Sequence, residues 1–175
     1  MPADSFINML CTETGYENIV RAMPGGESRL ANIRLLEKSR GRCFKNIGVV
    51  YIDLNGLKQI NDEQGHEAGD SFIRRAAQQI VAVFPEHTYR IGGDEFVVIY
   101  PDILQQQFEF LINQLRLNAR QHHVSISCGS VWRTECMALD EMLKEADEKM
   151  YEDKKKFYEK REHDRRRDIR RSEYM

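Results

Sequence analysis

The sequence predicts an α/β fold, a mixed central sheet covered by helices, in which one β-hairpin carries a Gly92-Gly93-Asp94-Glu95 turn. Three observations predict it. Residues 47–53 form an apolar run rich in β-branched side chains, as a largely buried strand requires, and the run stops at the carboxylate of Asp53. Residues 68–84 set Phe72, Ile73, Ala76, Ala77, Ile80 and Phe84 on one helical face, with Arg74, Arg75, Gln78 and Gln79 largely opposite, so this helix covers a sheet and Pro85 stops it. Residues 88–91 and 96–100 are short strand-like runs flanking Gly92-Gly93-Asp94-Glu95, which reads as a hairpin with two carboxylates at a glycine-permitted tip.

The remaining elements follow in order. A helix over 103–121, a strand over 124–132 and a long helix from 139 to about 162 continue the alternation. Upstream, Pro24-Gly25-Gly26 marks a loop between possible helices near 16–22 and 28–39. Residues 158–175 are highly charged but mixed in sign, which suits a solvated helix extension or a tail rather than a basic arm for nucleic acid. The division expected is an N-terminal segment over 1–10, one domain over 11–160, and a charged extension over 161–175.

Composition narrows the class. With 175 residues, 41% hydrophobic, 31% charged and a net charge of −2, the chain reads as one globular domain with no call for nucleic acid. Apolar runs fall far short of the ~20 residues a bilayer crossing needs, and the N-terminus lacks a basic-then-apolar leader, so no membrane partner and a cytoplasmic location are expected. The four cysteines show no CxxC spacing, and His122-His123 reads as a surface pair rather than a metal site.

Chemistry concentrates in three stretches: Asp53-Leu54-Asn55-Gly56-Leu57-Lys58, then Asn61-Asp62-x-x-Gly65-His66-x-x-Gly69-Asp70, then Gly92-Gly93-Asp94-Glu95-Phe96. A nucleoside triphosphate needs Mg²⁺ held by hard oxygens, and Asp53 at a strand end with Asp94 and Glu95 at a hairpin tip would supply them. Gly92 and Gly93 let a nucleotide approach the backbone closely. Main-chain amides along Leu54, Asn55, Gly56 and Leu57 could cradle phosphates, with Lys58 and Lys154 neutralising them.

In register with one another and with the ADxxMYxxK stretch over 146–154, these blocks resemble the GGDEF family of diguanylate cyclases across about residues 47–156. The resemblance implies a palm-like nucleotidyl cyclase fold and the condensation of two GTP into cyclic di-GMP. It implies metal binding by Asp53, Leu54, Asp94 and Glu95 with Mg²⁺ (or Mn²⁺), and catalytic roles for Glu95, Asp94 and Lys58. Asn61 and Asp70 match the positions that read guanine, a sensible pairing because a carboxylate can accept from guanine N1–H and N2–H₂. Arg90 matches a basic position near the active half-site, its role left open. Because each domain holds one GTP, a homodimer and a regulatory or sensory domain, in the same protein or a partner, are implied.

Two stretches depart from the family pattern. Over 11–18, Thr14, Gly15 and Asn18 match the opening motif, while Cys11 stands for its aspartate. Where many members carry an RxxD inhibitory site, this chain has Val83 and Glu86, so no arginine is present there to grip a product phosphate. The alternative to turnover is a GGDEF domain that binds GTP as a regulatory module.

Overall fold

The computed structural model describes residues 46–134 and 139–172, with side chains through residue 165. The helices expected near 16–22 and 28–39, the departing stretch over 11–18, and Cys11, Cys43 and Cys136 lie outside the described residues. The described elements run β1 (Ile47–Leu54), α1 (Leu57–Gln64), α2 (His66–Val83), β2 (Thr88–Arg90), β3 (Glu95–Pro101), α3 (Gln105–Gln121), β4 (Ile126–Arg133) and α4 (Leu139–Ser172).

The sheet order is β2-β3-β1-β4, and every described pairing is antiparallel. An α/β fold with a helix-covered sheet and a hairpin is therefore observed, but its sheet is antiparallel rather than mixed. The reason lies in the crossovers. β1 reaches β2 through α1 and α2, and β3 reaches β4 through α3, so each connected pair is parallel in direction yet separated by one intervening strand. This is the split β-α-β arrangement, which alternating elements alone do not distinguish from a parallel sheet.

Alternation along β1 sends side chains to two cores. Val50, Ile52 and Leu54 pack with Phe72, Ile73, Ala76 and Ile80 of α2 and Phe108 and Leu115 of α3. Ile47 and Val49 face the other way, onto Leu139, Met142, Leu143 and Ala146 of α4. Helices thus cover both faces, and the sheet is the middle layer.

α1 is a helix that hydrophobic periodicity did not announce, for it has no buried residues. Its ends are set by Gly56 (φ 84°) and Gly65 (φ 86°), left-handed positions that glycine occupies without a Cβ penalty. Between α1 and α2 the helices cross so closely at Gly69 that a Cβ there would strike Oδ1 of Asn61. On the other face Gly129 of β4 lies against α4, where a Cβ would collide with the Ala146 carbonyl and the Met150 amide. Gly129→Ala is expected to lower stability by about 1–3 kcal/mol through this overpacking, read as a reduced urea midpoint with unchanged slope.

At the end of α2 the chain turns through Glu86 (φ 65°), and the His87 ring stacks on Tyr100 with centroids 3.9 Å apart. Burial pulls the His87 pKa below its ordinary 6.5, against the opposing pull of Glu86 and a hydrogen bond to the Ile99 backbone. The unfolded chain therefore binds this proton more readily than the folded one. The stability that neutral His87 contributes is present above 6.5 and is lost as pH falls through the depressed value. Comparing urea midpoints at about pH 7.5 and about pH 5, His87→Phe should lose less stability on acidification than the parent.

Candidate functional site

Strand alternation decides which way the acids face. Tyr51 and Asp53 share the α4 side of β1, and Asp53 lies directly opposite Glu95 of β3, so both carboxylates stand on that same face. The Leu54 amide donates to the Asp94 carbonyl at 3.0 Å, which fastens the turn between β2 and β3 to the end of β1. Arg90 completes the brace by donating from Nε to the Gly92 carbonyl at 3.0 Å and from a terminal nitrogen to the Gly93 carbonyl at 2.7 Å. Neither Gly92 nor Gly93 has a positive φ. A Cβ at Gly92 would sit 2.5 Å from Oε2 of Glu95, so any larger residue there would have to displace that carboxylate.

α4 supplies the counter-charge. Ala146 and Met150 are buried against the sheet, and the next residue at that helical spacing, Lys154, reaches over the end of β1 to donate to Asp53 Oδ2 at 2.8 Å. Asp53 is only 5% exposed, and its Oδ1 is buried with no hydrogen-bond partner among the described residues. Burial raises the Asp53 pKa, Lys154 pulls it down, and Asp94 and Asp147 add to the rise. Burial also works against the Lys154 ammonium, yet the hydrogen bond and charge of Asp53 outweigh it and hold that pKa above the usual lysine value. The pair is unequal because one ammonium does not repay the desolvation of the carboxylate.

Glu95 shows the same excess of negative charge. Its pKa is raised by burial, lowered by the Tyr51 hydroxyl that donates to Oε1 at 3.3 Å, and raised again by Asp94, Asp53 and Asp147. Tyr51 is in turn pushed up by burial and then by the Glu95 charge. The charges of Asp94 and Asp147 therefore bear on both Asp53 and Glu95 at this end of the sheet. Among the described residues no three metal-ligating side chains are already gathered as a cage. Even so, an orphaned buried carboxylate oxygen beside further carboxylates is the donor chemistry that a hard divalent cation suits.

A cavity of about 440 Å³ opens beside these acids, lined by Leu54, Gly56, Leu57, Lys58, Asp94 and Lys154, with Gln59, Asp62, Glu63, Tyr158 and Arg161. Six of the residues singled out in the sequence thus share one cavity wall. Asp53 and Glu95 stand behind it through the contacts above, and Gly93 borders open space. Asn61 is on α1 against Gly69, and Asp70 is exposed on α2; neither lines this cavity.

The expected row of phosphate-binding amides needs correction. The Leu54 amide is spent on Asp94, and the Asn55 amide donates to the Ser125 carbonyl at 2.9 Å. Asn55 is buried, with Nδ2 donating to Ser125 Oγ and Oδ1 accepting from Ser127 Oγ. What the loop offers is the first turn of α1, whose leading amides have no acceptor within the helix. The sequence reading missed Tyr51, Asp147 and the Ser125/Ser127 brace, and it missed Arg161, which donates to Gln59 Oε1 at 2.7 Å and ties α4 to α1. For Arg161 a signal existed, because it follows Lys154 by seven residues on one helical stripe.

Known proteins similar to this chain fall in one family. Residues 29–160 match the family model described as "Diguanylate cyclase, GGDEF domain". The chain is 33% identical over 147 residues to "Probable diguanylate cyclase DgcJ" of Escherichia coli (strain K12), covering 79% of this chain and 30% of that protein. It is 28% identical over 116 residues to "Diguanylate cyclase DgcS" of Shewanella oneidensis, covering 62% and 39%. The chain therefore spans well under half the length of these relatives. Among solved structures it is similar in fold to the GGDEF domain of DgcB from Caulobacter crescentus in complex with c-di-GMP, with TM-score 0.59, 22% identity and coverage of 74% and 82%. It is also similar to the diguanylate cyclase SiaD from Pseudomonas aeruginosa, solved with its activator SiaC, with TM-score 0.67, 18% identity and coverage of 87% and 62%. Among the described residues no helix is long and apolar enough to cross a membrane.

Removing the ammonium leaves Asp53 buried without a partner on either oxygen. Lys154→Met should cost about 1–3 kcal/mol of stability, and the double variant Asp53→Asn/Lys154→Met should recover part of it, both read from urea midpoints.

Proposed function

Because this chain belongs to the GGDEF family of diguanylate cyclases, we propose that it condenses two GTP into cyclic di-GMP and pyrophosphate across a two-fold dimer. The observation that carries the reading is the meeting of Asp53, Asp94 and Glu95 at one sheet end beside a cavity walled by Lys58 and Lys154. Asp53, Leu54, Asp94 and Glu95 are the residues that would hold Mg²⁺ (or Mn²⁺), and the unsatisfied Asp53 Oδ1 supports that fit. When bound, the cation would neutralise triphosphate charge and favour an ionised ribose hydroxyl.

Each residue then has a defined task. Lys58 and Lys154 offset the phosphates, and the leading amides of α1, at Gly56 and Leu57, donate hydrogen bonds to phosphate oxygens. With a cation balancing Asp53, Lys154, which now donates to Asp53 Oδ2 from the cavity wall, would be free to donate to a phosphate instead. Gly92 and Gly93 keep the turn bare for close approach and Asn55 holds the loop from behind, while Asn61 and Asp70, on α1 and α2 outside the cavity wall, would read the guanine edge of a nucleotide that extends beyond it. In the facing pair, the 3′-oxygen of one GTP bonds to the α-phosphorus of the other while the bond to pyrophosphate breaks. The hydroxyl proton passes to Glu95, whose raised pKa makes it a better base than an exposed carboxylate. Relatives longer than this chain fit control by a regulatory or sensory domain, in this protein or a partner, which sets how often two cytoplasmic half-sites meet.

The second reading, a GTP-binding regulatory module with weak or no turnover, is favoured by the altered stretch at Cys11. Concentrated protein incubated with GTP and Mg²⁺ should yield cyclic di-GMP and pyrophosphate on chromatography, at a rate rising faster than linearly with protein concentration. Asp94→Ala and Glu95→Ala should each lower that rate about 100-fold or more. GTP binding without any cyclic product, at every protein concentration, would establish the second reading instead.

A further inference from the structure

A second cavity, about 900 Å³, lies on the other side of Arg161, between α3 and α4 over the start of β4. Its cationic lining is Arg116, Arg120, Lys156, Lys160, Arg161 and Arg165, against the acids Asp153 and Asp164, an excess of four positive charges in a chain whose net charge is −2. One of the two acids is already spent: Asp153 Oδ2 accepts from Arg116 at 3.1 Å and from the Cys128 amide at 3.0 Å. Among the described residues Arg120, Lys156 and Lys160 make no ion pair. Like charges lining one concave site repel one another, and an anion bound there would offset that repulsion.

We infer that this groove binds a small phosphate-bearing ligand, separate from the nucleotide cavity. The cations line one open groove whose volume falls in the range of small-molecule sites, with Arg116 and Arg161 partly buried and Arg120, Lys156, Lys160 and Arg165 exposed to solvent. A nucleic acid would instead call for a basic stripe along an exposed face. A ligand with two phosphate groups matches the charge excess, and both proposed products, the cyclic dinucleotide and pyrophosphate, have that chemistry. The inference rests on the proposed reaction only for this choice of source.

The groove is also wired to the nucleotide cavity. Arg161 lines both, and its hydrogen bond to Gln59 holds the wall between them. Ser125 and Ser127 on the groove floor hold Asn55 in the loop that leads into α1. An anion that draws Arg161 or shifts these serines therefore alters the nucleotide cavity.

Calorimetric titration of the full chain with cyclic di-GMP, and separately with pyrophosphate, tests the inference. Arg120→Glu/Lys160→Glu should weaken binding of at least one probe about tenfold or more, while leaving Mg²⁺-GTP binding within about twofold. Lys58→Ala, in the nucleotide cavity, should do the reverse. Which probe responds identifies the source. Arg120→Gln replaces the double variant if circular dichroism shows that the latter does not fold. Binding of neither probe, or binding that Lys58→Ala abolishes and the groove variants spare, overturns the inference. Loss of GTP binding alone, with the groove still occupied by a probe, removes the proposed reaction and leaves the groove standing.

Discussion

The antiparallel register between β1 and β3 sets Asp53 opposite Glu95 and brings the Leu54 amide within reach of the Asp94 carbonyl. Every other feature of the candidate site is placed relative to those two contacts. A slip of one residue would send Asp53 to the α2 side, into a core of Phe72 and Ile80, and would separate it from Lys154. The register is held because both faces of β1 are buried, each against a different helix layer, so neither face can be exchanged for the other at low cost.

Charge at the site is deliberately unbalanced. Burial and the neighbouring charges of Asp94 and Asp147 raise the cost of ionising Asp53 and Glu95, and one ammonium, Lys154, offsets only part of it at Asp53. Such a cluster stores unfavourable electrostatic energy that a bound cation would release, and the surrounding fold must be rigid enough to hold it. Gly129 provides that rigidity by letting the α4 backbone lie directly on β4, while Arg90 pins both glycine carbonyls of the turn. Close packing of α4 on β4, at the residue paired with Tyr51, thus sets the reach of Lys154.

The helical layers also explain which residues resisted a sequence reading. α1 has no buried residues, so its helical period leaves no hydrophobic trace, and its boundaries come from two left-handed glycines. Tyr51 sits inside an apolar run and reads as core, yet its hydroxyl meets Glu95 because the strand ends there. Asn55 reads as a loop residue with a free amide, but Ser125 and Ser127, seventy or so positions away, claim its polar groups. The sheet was expected to be mixed because a helix between strands implies parallel direction. That implication was right for the connected strands and wrong for the hydrogen-bonded neighbours.

Local chemistry, by contrast, was written into the chain. The strand ending at Asp53, the amphipathic face of α2, the hairpin with its two acids, and the long helix bearing Lys154 follow from periodicity and turn residues that act over a few positions. So does membership in the GGDEF family, because its motifs are short contiguous blocks. What only the tertiary structure decided is which side each acid faces, that Lys154 answers Asp53 across 101 positions, and that a second basic groove shares Arg161 with the first cavity. Those outcomes depend on strand order and helix crossing, which arise from packing between distant segments and leave no periodic mark in the sequence.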